Sequence, residues 1–347
     1  MKLLILGGTG NMSRQITTQA VQAGFDVTVF NRGTRKDFNI PTEVKVVTGD
    51  RRTPGLLEEK FRNCSFDAVI DMLSYKEEDA AQTLKVFDGH VQHIVFTSSS
   101  AAYAMPQRIV PIKEESCPLW TENVFPYGFE KAKMERRVWA TESEAAKTII
   151  RPSLTFGVGC SNIGILRQNA NIMYRILEGK PLVMMGDGTM YRNFTFAPDM
   201  ASAYLKTLLN PATYGKAFHV TNGISCMWDD LYNTVGSILG RSVDMIHIST
   251  ETLLSFDRVL FEHLELEKKY CGLFDCSAFR QAVPDWKPEY DLKKGMEMIV
   301  SWWQESRFPV NEEKDIKETL ICEKMRAFRK TASSGLSGSL DYVPGLL

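Results

Sequence analysis

Tyr127 and Lys131 stand four residues apart at the head of a run rich in helix formers, Glu130 to Thr141. That spacing puts both side chains on one face of one helix. A free phenol titrates near pKa ~10 and is a poor base at neutral pH, but an ammonium a few ångströms away favours the phenolate. Such a pair removes a proton from a hydroxyl while hydride leaves the same carbon, and in reverse it protonates a carbonyl oxygen. Ser99, within Phe96-Thr97-Ser98-Ser99-Ser100 at the end of an apolar run, is the hydroxyl expected to lean over a sheet edge into the same site. A tyrosine and a lysine four apart are common on helix surfaces. The strand, the serines and a glycine loop give this pair its meaning.

The glycine loop is Gly7-Gly8-Thr9-Gly10-Asn11-Met12-Ser13, directly after an apolar run and at the start of a helical one. In that context Gly7 makes the tight turn, and Gly10 lets backbone approach a pyrophosphate held by free N–H groups and the positive end of the helix dipole. Asn11 and Met12 fall on the same turn, and Ser13 stands where a third glycine is usual. After the second apolar run comes Phe30-Asn31-Arg32-Gly33-Thr34-Arg35-Lys36, without the carboxylate that usually meets a ribose 2′-hydroxyl. Asn31 can still hydrogen-bond a ribose, whereas Arg32, Arg35 and Lys36 suit a 2′-phosphate, so NAD and NADP both remain open. Asp50, in Gly49-Asp50-Arg51, is expected either at the adenosine or as an ordinary turn former.

These groups need a scaffold. Short β-branched runs at Leu3 to Leu6, Val27 to Phe30, Val44 to Val47, Ala68 to Ile70, His93 to Phe96 and Thr148 to Ile150 alternate with helical stretches. The pattern predicts an α/β fold, a Rossmann-type doubly wound parallel sheet with helices on both faces. Ser13 to Ala23 reads as the first helix, stopped by Gly24. After Arg151-Pro152 the pattern loosens around Gly157, Gly159, Gly186 and Gly188, with a helix-like run from Ile163 to Leu177. A smaller, interleaved C-terminal substrate-binding lobe is expected: residues 156–193 and 223–308, with 1–155 and 194–222 in the nucleotide domain. Residues 309–347 read as an extension, with an amphipathic stretch from Glu312 to Lys330 and a flexible end at Thr331 to Gly335.

Of 347 residues, 44% are hydrophobic and 24% charged, and the net charge is −1. No stretch approaches the roughly 18 apolar residues of a membrane helix, and no dense Lys/Arg block marks a nucleic-acid binder. Seven scattered cysteines suit reduced thiols, which places the chain in the cytoplasm. His90 with His93, and Cys271 with Cys276, lack further ligands, so no metal site is expected. The extension is read either as a dimerisation helix with Ile316, Leu320 and Phe328 on its apolar side, or as a solvated helix on its own subunit; a homodimer is expected.

The chain resembles the extended short-chain dehydrogenases/reductases, the family of nucleotide-sugar epimerases, dehydratases and reductases, over roughly residues 1–306. Beyond the glycine loop, the resemblance rests on Thr97 to Tyr103, Pro126 to Lys131, Arg151-Pro152-Ser153-Leu154-Thr155-Phe156-Gly157, and Gly186-Asp187-Gly188-Thr189-Met190-Tyr191-Arg192-Asn193-Phe194. It implies Ser99, Tyr127 and Lys131 as catalytic residues, Arg151 and Ser153 beside the cofactor, and Arg192 gripping the diphosphate of a nucleotide sugar. Several positions depart from the pattern. Asp71-Met72-Leu73 replaces a His-Leu-Ala type of sequence, Asn193 stands at a usual aspartate, and Ser100-Ala101 lacks the acidic pair of the 4,6-dehydratases. Dehydration is therefore disfavoured. The atypical motifs look like a branch that includes chloroplast stem-loop RNA-binding proteins. The expected function is a 4-epimerase-like oxidoreductase; a net reductase or dehydrogenase, or a non-catalytic dinucleotide- or RNA-associated protein, is the alternative.

Overall fold

The computed structural model describes residues 1–34, 40–159 and 163–336, the side chains of 332–336 excepted. The chain opens with β1 (Lys2–Leu6), α1 (Asn11–Gln22), β2 (Asp26–Asn31), β3 (Lys45–Thr48) and α2 (Leu56–Phe61). It continues with β4 (Ala68–Asp71), α3 (Glu77–Phe87), β5 (His93–Thr97), α4 (Pro126–Ala140), β6 (Ala146–Pro152) and β7 (Leu154–Phe156). Next come α5 (Asn171–Leu177), β8 (Leu182–Met185), β9 (Tyr191–Phe196), α6 (Ala197–Thr207), β10 (Lys216–Val220), β11 (Ser225–Met227) and α7 (Trp228–Leu239). The last elements are β12 (Met245–Ile248), α8 (Thr250–Phe256), α9 (Arg258–His263), a π-helical turn (Leu264–Lys268), α10 (Ser277–Ala282), α11 (Leu292–Glu305) and α12 (Glu312–Leu336).

The described residues divide into two compact units. The first comprises those within Met1–Cys160, Tyr191–Cys226 and Leu266–Ile299. Its sheet has seven strands in the order β10-β6-β5-β4-β1-β2-β3, all parallel. Alternation along each strand sends side chains to opposite faces. Leu3, Ile5, Val27 and Val29 meet Ile16 and Ala20 of α1 and Met200 and Tyr204 of α6. Leu4, Leu6, Phe30 and Val69 meet Leu57 and Phe61 of α2, Leu84 and Phe87 of α3, and Met134 and Val138 of α4. Each such side chain taken wholly out of water contributes about 1.5–3 kcal/mol, so the two layers hold the expected doubly wound sheet. The strand order reverses between β1 and β4, and the crevice outside their carboxyl ends is where such sheets take ligands.

Residues 266–299 were expected in the smaller lobe, yet they pack on the sheet unit. Phe279 and Trp286 are buried in the same cluster as Phe218 and Met200, and Phe279 meets Phe218 edge-on with ring centroids 5.6 Å apart. Arg192 and Asn193 likewise belong to the first unit.

The second unit comprises the described residues within Ser161–Met190, Met227–Glu265 and Val300–Leu347. Here β8 pairs in parallel with β12. The helix read from Ile163 to Leu177 forms only over Asn171–Leu177, because Gly164, Arg167 and Asn169 take positive φ and break the earlier turns. Residues 331–336, read as a flexible end, continue α12 as helix, with Thr331 Oγ1 donating to the Ala327 carbonyl at 3.2 Å. Inside this unit the buried Arg175 guanidinium holds Asp315 (2.5 Å) and Glu318 (3.5 Å) of α12. No described helix is long and apolar enough to cross a membrane.

Candidate active site

Gly7 and Gly8 leave β1 with φ of +124° and +91°. A Cβ on Gly8 would stand 2.8 Å from Val29 Cγ1, and one on Gly7 would crowd Met72 at 3.2 Å. Only glycine keeps this loop flat against β2 and the end of β4. Ser13 is buried, and its hydroxyl accepts the Gly10 N–H at 2.8 Å, so it ties the loop to α1 where a third glycine would merely make room. Two buried polar atoms in this crevice have no hydrogen-bond partner among the described residues: Asn11 Oδ1 and Asn31 Nδ2. Asn31 Oδ1 accepts from Gly33 N at 2.8 Å, which fixes the amide. An unmet buried polar group costs about 1–3 kcal/mol. Two of them beside a helix N-terminus and a glycine cradle fit a dinucleotide.

The remaining expected cofactor residues fall differently. Met12 packs against the core on the α1 side, and Arg32 is exposed, its charge facing the Tyr75 phenol. Arg35 and Lys36 lie outside the described residues. The Asp50 carboxylate accepts from Arg52 N at 2.9 Å and so shapes a turn. Ser153 is buried beside Thr195, 3.4 Å away. Arg151 does not reach toward a cofactor. Its guanidinium is buried against Glu135 of α4 through contacts of 2.6, 2.9 and 3.1 Å, and it also donates to the Tyr103 hydroxyl at 2.6 Å. Glu135 in turn accepts from the Ser98 hydroxyl. A buried guanidinium needs a carboxylate, and α4 supplies one internally.

Tyr127, Ser99 and Lys131 come together. Tyr127 follows the Pro126 that opens α4, and the Ser99 hydroxyl lies near enough to its phenol to favour the ionised form. Ser99 Oγ also accepts from Ala101 N at 3.1 Å, which orients it. Gly128 makes the approach possible, because a Cβ there would lie 2.1 Å from the Ala101 carbonyl oxygen. Lys131, one helical turn on, is 1% exposed, and its Nζ donates to the Ser74 and Thr97 carbonyls at 2.7 Å each. The Tyr75 ring lies under the same nitrogen at 4.7 Å.

The electrostatics depart from expectation. Burial pushes the Tyr127 phenol up to about 12, opposed by the Ser99 hydroxyl and helped by Tyr75 and the Glu267 carboxylate. Burial pulls Lys131 down to about 8, opposed chiefly by Asp71. The ammonium is directed at two carbonyls, so the expected lowering of the phenol is not seen. Tyr127 itself remains 43% exposed along its ring; its hydroxyl end is the desolvated part.

Three residues of this site went unread in the sequence. Tyr75 lies beside Lys131, Asp71 sits beneath it, and Glu267 of the π-turn faces the phenol. Only Asp71 had signalled itself, as a departure from the usual motif. Arg192 is buried: its guanidinium pairs with Glu267 at 3.4 Å and stacks so closely on Gly272 that a Cβ there would be 2.7 Å from Cζ.

With this geometry in hand, the comparisons become informative. The model of the NAD dependent epimerase/dehydratase family matches residues 3–221. The chain is 28% identical over 255 residues to 2′-dehydrokanamycin reductase of Streptomyces kanamyceticus, covering 72% of this chain and 70% of that protein. It is 28% identical over 246 residues to the UDP-glucose 4-epimerase of Lactobacillus helveticus, covering 60% and 72%. The fold superposes on the UDP-glucose 4-epimerase of Thermotoga maritima, solved with UDP-glucose, with a TM-score of 0.72 at 16% identity, over 88% of this chain and 100% of that one.

Proposed function

Because the chain belongs to the NAD dependent epimerase/dehydratase family, we propose that it oxidises and re-reduces a hydroxyl-bearing carbon of a nucleotide sugar, as a 4-epimerase does. The observation that carries this reading is the Ser99 hydroxyl facing the Tyr127 phenol one helical turn from the buried Lys131, whose ammonium the Ser74 and Thr97 carbonyls hold. Gly7, Gly10, Asn11, Met12 and Asn31 would hold NAD or NADP, which when bound supplies the hydride acceptor and donor. Ser99 orients the substrate hydroxyl, Tyr127 takes or returns its proton, and Lys131 provides positive charge behind the phenol. Arg192 would grip the diphosphate once Glu267 yields. A cytoplasmic homodimer, with α12 as a candidate contact, belongs to the same proposal.

The test is Tyr127→Phe assayed with UDP-glucose. Turnover should fall about 10²–10⁴-fold while cofactor released on denaturation, identified by mass spectrometry, stays at the wild-type level. Undiminished turnover would remove Tyr127 from the chemistry.

One observation favours a second reading, a net reductase. A phenol held near 12 stays protonated at neutral pH, the form needed to donate to a carbonyl, although burial makes it a weaker acid. Reduction changes nicotinamide absorbance in proportion to product, whereas epimerisation leaves it flat.

A further inference from the structure

Beneath Lys131 lies a charged cluster that the proposed chemistry does not use. Asp71 ends β4 and is wholly buried. Its Oδ1 accepts from Leu73 N (2.8 Å) and Arg51 Nη1 (3.1 Å), and its Oδ2 from the hydroxyls of Ser74 (2.6 Å) and Thr83 (2.5 Å). Arg51, itself buried, also donates to the Asp79 carbonyl at 2.6 Å and to Thr83 at 3.1 Å. The carboxylate therefore bonds both Leu73 and Ser74 of the turn after β4. The carbonyl of that same Ser74 receives the Lys131 ammonium. We propose that Asp71 is the positioning residue for Lys131: it shapes the turn whose Ser74 carbonyl holds the ammonium, and it supplies the negative charge behind it.

This inference rests on the catalytic reading of Lys131 and deepens it. The charges around the ammonium come from every neighbouring element: Asp71 from β4, Asp79 from α3, Glu135 from α4 and Arg51 from the turn after β3, with Tyr75 against it. Burial alone would raise Asp71, but Arg51 and the bonds from Ser74, Thr83 and Leu73 more than offset it, so its carboxyl is held below the ordinary carboxylate range. At neutral pH Asp71 is thus anionic, and among these groups it does most to keep Lys131 charged.

The experiment is a titration of the Lys131 ε-methylene by NMR in full-length protein labelled with ¹³Cε-lysine, the resonance being assigned by its loss in Lys131→Met. The wild-type midpoint should lie near 8. Asp71→Asn should lower it by about one unit or more, roughly a tenfold increase in acidity, whereas Arg51→Gln should raise it. A merely structural disturbance would not produce opposite signs. Should Asp71→Asn fail to fold, the double variant Asp71→Asn/Arg51→Gln leaves no buried charge unpaired, and its midpoint should still fall below wild type. An unchanged midpoint in folded Asp71→Asn, a downward shift in Arg51→Gln, or a midpoint at or above wild type in the double variant would each overturn the assignment. The readout involves no turnover, so it fails or succeeds independently of the Tyr127→Phe assay.

Discussion

At Tyr127 and Lys131 the usual order of two side chains is reversed and their values are driven apart. The phenol is pushed up to about 12 and the ammonium drawn down to about 8, each first by burial. Lys131 is therefore the group whose charge changes nearest the physiological range. Turnover in the reductive direction should decline as pH rises through about 8, where Lys131 loses its proton, with no gain there from ionisation of Tyr127; a pH profile of kcat checks this. Glu267 gives a second prediction at this scale. Its carboxylate both pairs with Arg192 and disfavours the phenolate. Glu267→Gln should lower KM for UDP-glucose several-fold, about 1 kcal/mol, if Arg192 serves a diphosphate. A raised KM would show instead that Glu267 itself holds the substrate. Neither Glu267 nor Tyr75 was legible in the sequence, because each reaches the site from a segment with no periodic pattern of its own. The partner of Arg151 was not legible for a related reason: Glu135 lies 16 residues earlier, on a different element.

Among elements, α4 matters most for the site, and Gly128 governs where it lies. With the Ala101 carbonyl 2.1 Å from where a Cβ would stand, Gly128→Ala must push the helix off the Ser99 turn. A displacement near 1 Å at reacting groups costs about 10²-fold in rate, so kcat should fall by that order in a protein that still binds cofactor, checked by turnover and cofactor content together. The sequence showed Tyr127 and Lys131 on one face. It could not show that backbone-to-backbone contact with a loop some 25 residues away brings that face to Ser99. The strands were legible because each is a short β-branched run bounded by breakers: five of the seven sheet strands were read at nearly their observed limits, and the Thr148 to Ile150 run is the middle of Ala146–Pro152. Within 194–222, read as part of the nucleotide domain, β10 pairs with β6. In the second unit, α12 depends on the buried Arg175. Arg175→Ala would leave Glu318 without its nearest charge, and removing one partner of a buried pair costs about 3–5 kcal/mol. Hydrogen exchange along 312–331 should accelerate accordingly.

Over the whole molecule, two compact units share one chain through repeated crossings, and the 266–299 segment shows why lobes are hard to read from sequence. Its affiliation is set by Phe279 and Trp286 burying against the sheet unit, and nothing in its composition announces where it will pack. A different consequence follows from the burial of Lys131. An ammonium drawn from 10.5 to about 8 by burial makes folding less favourable while it stays protonated, by on the order of 3 kcal/mol. Because the folded-state value lies below the unfolded one, that penalty is fully present below about pH 8 and relaxes as pH climbs toward 10.5. Compared with Lys131→Met, the wild-type protein should therefore gain in Tm across that interval, as calorimetry of the two proteins at matched pH would record. The rise in pH that relieves the fold of this buried charge is the same rise that strips the proposed chemistry of it: at Lys131 robustness and throughput pull in opposite directions.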